Sequence, residues 1–169
     1  MLPEWQDGDW RGLWRDYGPK LMLFARQQAG AVSEAEDLVQ DAFIRYWKAR
    51  RKDADLAPTL LFTLVKRIAI EHARRWKGRP RPQDDRLGAV EPSPPMFEDV
   101  LGERERKELL EAALKTLPDA QREVLVLKIW GELTFEEIGQ TLEISPFTAA
   151  SRYRYGLGHL REILTPSLS

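Results

Sequence analysis

The chain has 169 residues, 43% apolar and 31% charged, with a net charge of −1 and no cysteine. That length holds one ordinary domain or two small ones, in a composition typical of globular proteins rich in helix formers. Disulfides and thiolate metal sites are excluded, and the near-neutral sum offers no overall basic excess for a nucleic acid, so any such surface must be local.

The opening MLPEWQDGDW is acidic and lacks the basic start and apolar run of a signal peptide. No stretch reaches the ~20 apolar residues of a membrane span. A cytoplasmic protein without membrane insertion is expected. Residues 10–28 place Leu13, Trp14, Tyr17, Leu21, Phe24 and Ala25 at steps of three and four, which predicts one helix closed by Gly30. Ser33, with Glu36 three places on, spells a capping box that opens a second helix. Leu38, Val39, Ala42, Phe43, Tyr46 and Trp47 keep helical spacing along it. A third helix is expected from Pro58, suited to a first turn, through Leu61, Leu64, Val65, Ile68 and Ala69 to about Trp76.

Residues 78–97, GRPRPQDDRLGAVEPSPPMF, hold five of the eleven prolines and no apolar period, the composition of a tether. Helical spacing resumes near Asp99 with Val100, Leu101, Leu109, Leu110, Ala113 and Leu114, until Thr116-Leu117-Pro118 breaks it. A helix from about Asp119 to Trp130 follows, ended by Gly131. Thr134 and Glu137 form another capping box, ahead of Phe135, Ile138 and Leu142. Ser145 then caps a last helix, with Pro146 in its first position and an expected end near Leu164. No segment reads as strand. The expected fold is all-α: two small helical domains, 1–77 and 99–169, joined by a Pro-rich linker at 78–98, the second carrying a helix-turn-helix.

In that motif the second helix must bury one face and offer another to DNA. Ala149, Tyr153, Gly156, Leu160 and Ile163 form one stripe, and Thr148, Ser151, Arg152, Arg154 and Tyr155 lie on the other side. Thr148 and Ser151 suit phosphates or base edges, and arginine suits a phosphate or a guanine edge. Alone, such a helix reads as a surface helix with solvated arginines. The capped TFEEIGQTLEIS before it favours DNA.

The segment from Glu108 to Leu164 resembles the promoter-binding C-terminal domain of bacterial sigma factors of the extracytoplasmic-function type. The matching residues are LPxxxREVL from 117, LTxEEI from 133 and TxxSR from 148. The resemblance implies that Thr148, Ser151, Arg152, Arg154 and Tyr155 contact the −35 promoter element. Ala150 stands where the family usually has a basic residue, which implies a different preferred sequence. Nearer the start, AEDLVQDAFIRYW at 35–47 is similar to the sigma-factor helix that grips the clamp helices of RNA polymerase. Asp37, Gln40 and Asp41 are its matching polar positions, and Ile44 shares their side of the helix.

Local charge departs from the neutral total. Lys66 to Arg81 holds seven Lys or Arg against one acid, and Arg45 to Lys52 five bases and no acid, whereas Gln83 to Glu111 holds nine acids against four bases. A basic surface on two neighbouring helices suits a phosphate backbone. LLFTLVKRIAIEHARRWKGR resembles the family's helix at the melted −10 element, with Lys66, Arg67, His72, Arg74 and Arg75 as the contacts. It departs from the family at Leu60, Arg67 and Glu71, where tryptophan, asparagine and aspartate are usual. Trp76 is suited to packing at a helix end or to stacking on a base.

The resemblance implies core RNA polymerase and promoter DNA as partners, an anti-sigma protein as the family's typical regulator, and no cofactor or metal. Two other readings stay open at this point: a polymerase-independent DNA-binding regulator and a sigma-like decoy that opens no promoter. Nothing in the sequence suggests an enzyme. There is no Gly-rich phosphate loop or nucleophile–base pair, and His72 and His159 are in no metal-ligand spacing.

Overall fold

A computed structural model of the protein describes residues 10–75, 77 and 104–168. The chain divides into two compact units, Met1–Glu91 and Pro92–Ser169. The expected linker and the helical spacing at Val100 and Leu101 lie outside the described residues, as does Trp76. Among the described residues every regular element is a helix, and none is long and apolar enough to cross a membrane.

The first unit packs three helices pairwise: α1 (Trp10–Gln28), α2 (Val32–Lys52) and α3 (Leu60–Arg75). Their apolar stripes meet in a core of Leu21, Phe24, Leu38, Tyr46, Phe62 and Ile68, all essentially inaccessible to solvent. Phe24 and Phe62 meet edge to face at 6.1 Å, a favourable arrangement of aromatic quadrupoles. The Tyr46 hydroxyl donates to the Leu56 carbonyl at 2.9 Å and so pins the 53–59 loop to α2.

Two local expectations are corrected here. Ser33 does not cap α2. The N-cap is Ala31, in extended backbone without a side-chain bond, and Glu34 in the first turn accepts from the Gly30 amide at 3.0 Å instead. A carboxylate three residues past the cap does this as well as Glu36 would have, and it starts the helix earlier. Pro58 precedes α3 rather than entering it, because Ala57, Pro58 and Thr59 form i→i+3 turns that lead into Leu60.

The second unit holds α4 (Arg104–Thr116), α5 (Asp119–Ile129), α6 (Phe135–Leu142) and α7 (Pro146–Leu168), with α7 packed against the other three. Its core is Leu114, Val124, Leu125, Leu127, Ile138 and Ala149. The expected helix starts hold here: Pro118 is the N-cap of α5, and Thr134 and Glu137 form a reciprocal capping box on α6. Gly131 is required at the exit of α5, because a Cβ there would meet the Leu127 carbonyl oxygen at 2.6 Å. α7 runs to Leu168, four residues past its expected end.

Candidate nucleic-acid and partner interfaces

The turn between α6 and α7 is held by backbone geometry. Glu143 takes the left-handed conformation at φ 57°, and the Ile144 amide returns to the Gly139 carbonyl at 3.0 Å. That closeness needs Gly139, since a Cβ there would lie 2.6 Å from the Ile144 carbonyl oxygen. Ser145 Oγ then accepts from the Thr148 amide at 3.0 Å and caps α7. Phe135 of α6 meets Tyr153 of α7 edge to face at 5.6 Å, with Lys128 Nζ 4.5 Å from the Phe135 ring centroid. The result is a short helix, a three-residue turn and a braced second helix with one free side.

That free side carries the expected residues unevenly. Arg154 and Tyr155 are exposed, while Thr148, Ser151 and Arg152 are half-buried. Thr148 Oγ1 accepts from Ser145 Oγ at 2.9 Å, so its hydroxyl sits at the helix start. On the packed side, Ala149, Gly156 and Leu160 are buried, but Ile163 is 38% exposed, so the core stripe ends before it. Sequence reasoning passed over Phe147, in the first turn of α7 and 78% exposed. Its signal was a large apolar residue off the core period.

In the first unit, Asp37, Gln40 and Ile44 are exposed along α2 and Asp41 is half-buried beside them. Gln40 and Ile44 also line a groove between α1 and α2, completed by Trp14, Met22, Glu36 and Phe43. Trp14, which keeps the apolar spacing of α1, is 50% exposed. Its ring lies against Phe43, centroids 5.3 Å apart, and over Gly18, where a Cβ would come within 2.9 Å of it. Glycine four residues on was the clue that this ring lies flat along its own helix instead of reaching inward.

The basic face of α3 is sorted by its contacts. Arg67, Arg74 and Arg75 are exposed. Lys66 Nζ instead donates to Gln28 Oε1 at 2.8 Å, tying α3 to α1. His72 is turned toward the start of α2, its Nδ1 4.0 Å from Glu34 Oε1, with both side chains largely covered. Glu71 accepts two bonds from Arg45 of α2, at 3.0 and 2.7 Å. Those bonds hold its carboxyl below the usual carboxylate range, with further help from the charges of Arg45, His72 and Arg75.

Family comparison places two known models on these two units. The model for sigma-70 region 2 matches residues 13–79, and that for sigma-70 region 4 matches residues 113–162. The ECF RNA polymerase sigma factor SigW of Bacillus subtilis is 30% identical over 160 residues, covering 88% of this chain and 84% of its own. The ECF RNA polymerase sigma factor RpoE of Cereibacter sphaeroides is 29% identical over 153 residues, covering 89% and 83%. SigE of Mycolicibacterium smegmatis is 31% identical, and the alignment spans 96% of this chain but 62% of that longer protein. Among solved structures, the sigma factor RpoE in complex with the anti-sigma factor NepR from Bartonella quintana shares the fold. Its TM-score is 0.67 at 20% identity, over 94% of this chain and 98% of that one.

Proposed function

The chain belongs to the ECF RNA polymerase sigma factors, and from that premise we propose how its two units share the work. It is an alternative sigma factor that directs core RNA polymerase to specific promoters and assists the opening of DNA in transcription initiation. The observation that carries this is the occurrence of both sigma-70 regions, in order, over the two helical units.

The first unit grips the polymerase through Asp37, Gln40, Asp41 and Ile44. Support comes from the placement of acids and an amide beside an apolar groove, which suits a helix presenting basic and apolar side chains together. The −10 contacts fall to Arg67, Arg74 and Arg75. The same proposal includes Lys66 and His72, whose contacts with Gln28 at 2.8 Å and Glu34 at 4.0 Å also tie the unit together. The second unit lays α7 along the −35 element through Thr148, Ser151, Arg152, Arg154 and Tyr155, with hydroxyls and arginines serving phosphates and base edges. The functional division is 1–77, 78–98 and 99–169. The place of action is the cytoplasm, and the chain itself carries no reaction, nucleotide addition being the polymerase's. An anti-sigma protein is proposed as its regulator on the strength of the family alone.

The docking assignment is tested by replacing Asp37 and Asp41 together with lysine in the full chain. Capture by core polymerase should fall about tenfold or more, the scale of reversing close charges at an interface, with the helical circular dichroism unchanged. Unchanged capture would remove these residues from the interface.

A further inference from the structure

We propose that Phe147 reads a thymine in the −35 element by packing its ring against the base's 5-methyl group. The inference rests on the reading of α7 as the helix that enters the major groove, and deepens it.

Phe147 is the most exposed of the large apolar side chains among the described residues, at 78%. Its backbone is fixed, since Ser145 caps the helix and Pro146 fills the position before it. At that exposure the ring adds little to the core. A hydrophobic staple would join the residue before the cap to the fourth helical position, here Ile144 and Ala149, and leaves Phe147 out. Phe147, Ser151, Arg154 and Gly158 follow one another at steps of four, three and four, so they share one side of α7. The buried stripe of Ala149, Gly156 and Leu160 lies opposite. Gly158 completes the outward side with open space, because a Cβ there would touch nothing within 4 Å.

The phenyl ring therefore stands on the line of the expected DNA contacts, at the end of the helix that reaches base edges in this motif. It has no donor or acceptor for a phosphate, a guanine, a cytosine or an adenine edge. The one apolar feature that the major groove displays is the thymine methyl group. A side chain that can read only that feature, held out at that end, adds thymine selectivity to what Ser151 and the arginines can do.

The test uses the full chain with core polymerase, on the −35 sequence that this holoenzyme selects from a randomised promoter library. Each thymine of that element is replaced in turn by deoxyuridine, which removes the methyl group and keeps every hydrogen bond. One replacement should weaken open-complex formation about threefold to fivefold, the scale of one buried methyl group. Phe147→Ala should lose the same factor on the thymine promoter and be indifferent to the replacement, while melting like the parent. The proposal is overturned if every deoxyuridine promoter behaves as the thymine one, if Phe147→Ala still distinguishes them, or if the selected element contains no A·T pair. A holoenzyme indifferent to the −35 sequence altogether would overturn the reading of α7 and this proposal with it. One that selects a −35 element but ignores the methyl group would sink only the role of Phe147.

Discussion

At the scale of single residues, the contact between Arg45 and Glu71 shows how the charge pattern is spent. Arg45 opens the five-base run of α2, yet its guanidinium is bound to Glu71 across the α2–α3 junction. Glu71 thus serves as a tie between helices at a position where the family usually places aspartate. Both side chains are nearly half exposed, so the pair stabilises the unit modestly, on the order of 0.5 kcal/mol. Because Arg45 lowers the folded-state pKa of Glu71 from its ordinary 4.5, this contribution is present above that value and is lost as pH falls through the lower folded one. Glu71→Gln should therefore reduce stability by about that amount at pH 7 in urea titrations, and the difference from the parent should shrink as pH falls below the ordinary value of 4.5 and vanish once it has passed the lowered folded one. A gap that persists in acid would mean that the pair acts through packing instead. None of this was legible in the sequence. The two partners stand 26 residues apart, and local spacing cannot report that a charge is already taken. The same holds for Lys66 with Gln28 and His72 with Glu34, each joined only once the helices pack.

At the scale of elements, legibility follows the strength of the punctuation. α5, α6 and α7 begin close to where proline, threonine and serine announce them, because each start is fixed by a residue with a single conformational role. α2 was less legible, since Glu34 and Glu36 competed to serve its first turn and the nearer acid prevailed. Side-chain direction was harder still. Trp14 keeps the apolar period of α1 and yet lies half in solvent, as the bare surface of Gly18 leaves room for its ring. Two glycines of α7 permit a direct test of this view of the helix. A methyl group at Gly156 would press on Leu125 Cδ1 at 3.1 Å and Gln121 Cβ at 3.2 Å, whereas one at Gly158 would meet nothing. Gly158→Ala should stabilise the protein by about 0.5–1 kcal/mol through helix propensity. Gly156→Ala should fall short of that gain, because Leu125 and Gln121 must each give by a few tenths of an ångström to admit the methyl group. Thermal melts of the two variants check this, and equal shifts would refute the assigned faces of α7.

At the scale of the whole molecule, the near-zero net charge is the sum of sequence segments of opposite sign. Bases gather at the end of α2 and along α3, and acids over Gln83 to Glu111. The all-α class, the two units and the helix-turn-helix were all legible, because helical periodicity and caps are local signals that hydrophobic packing reinforces. The interfaces were legible only as residue types at the right spacing. The contacts that Lys66 and His72 make inside the first unit depended on how the helices pack. The central claim is that this chain brings core polymerase to promoters, and reconstituted transcription measures it most directly. Purified core enzyme, with and without the protein, is presented with a promoter library at low salt. Transcripts should arise only with the protein present, from promoters sharing a −35 and a −10 block. A protein that fails to associate with core enzyme and changes no transcript would contradict the account.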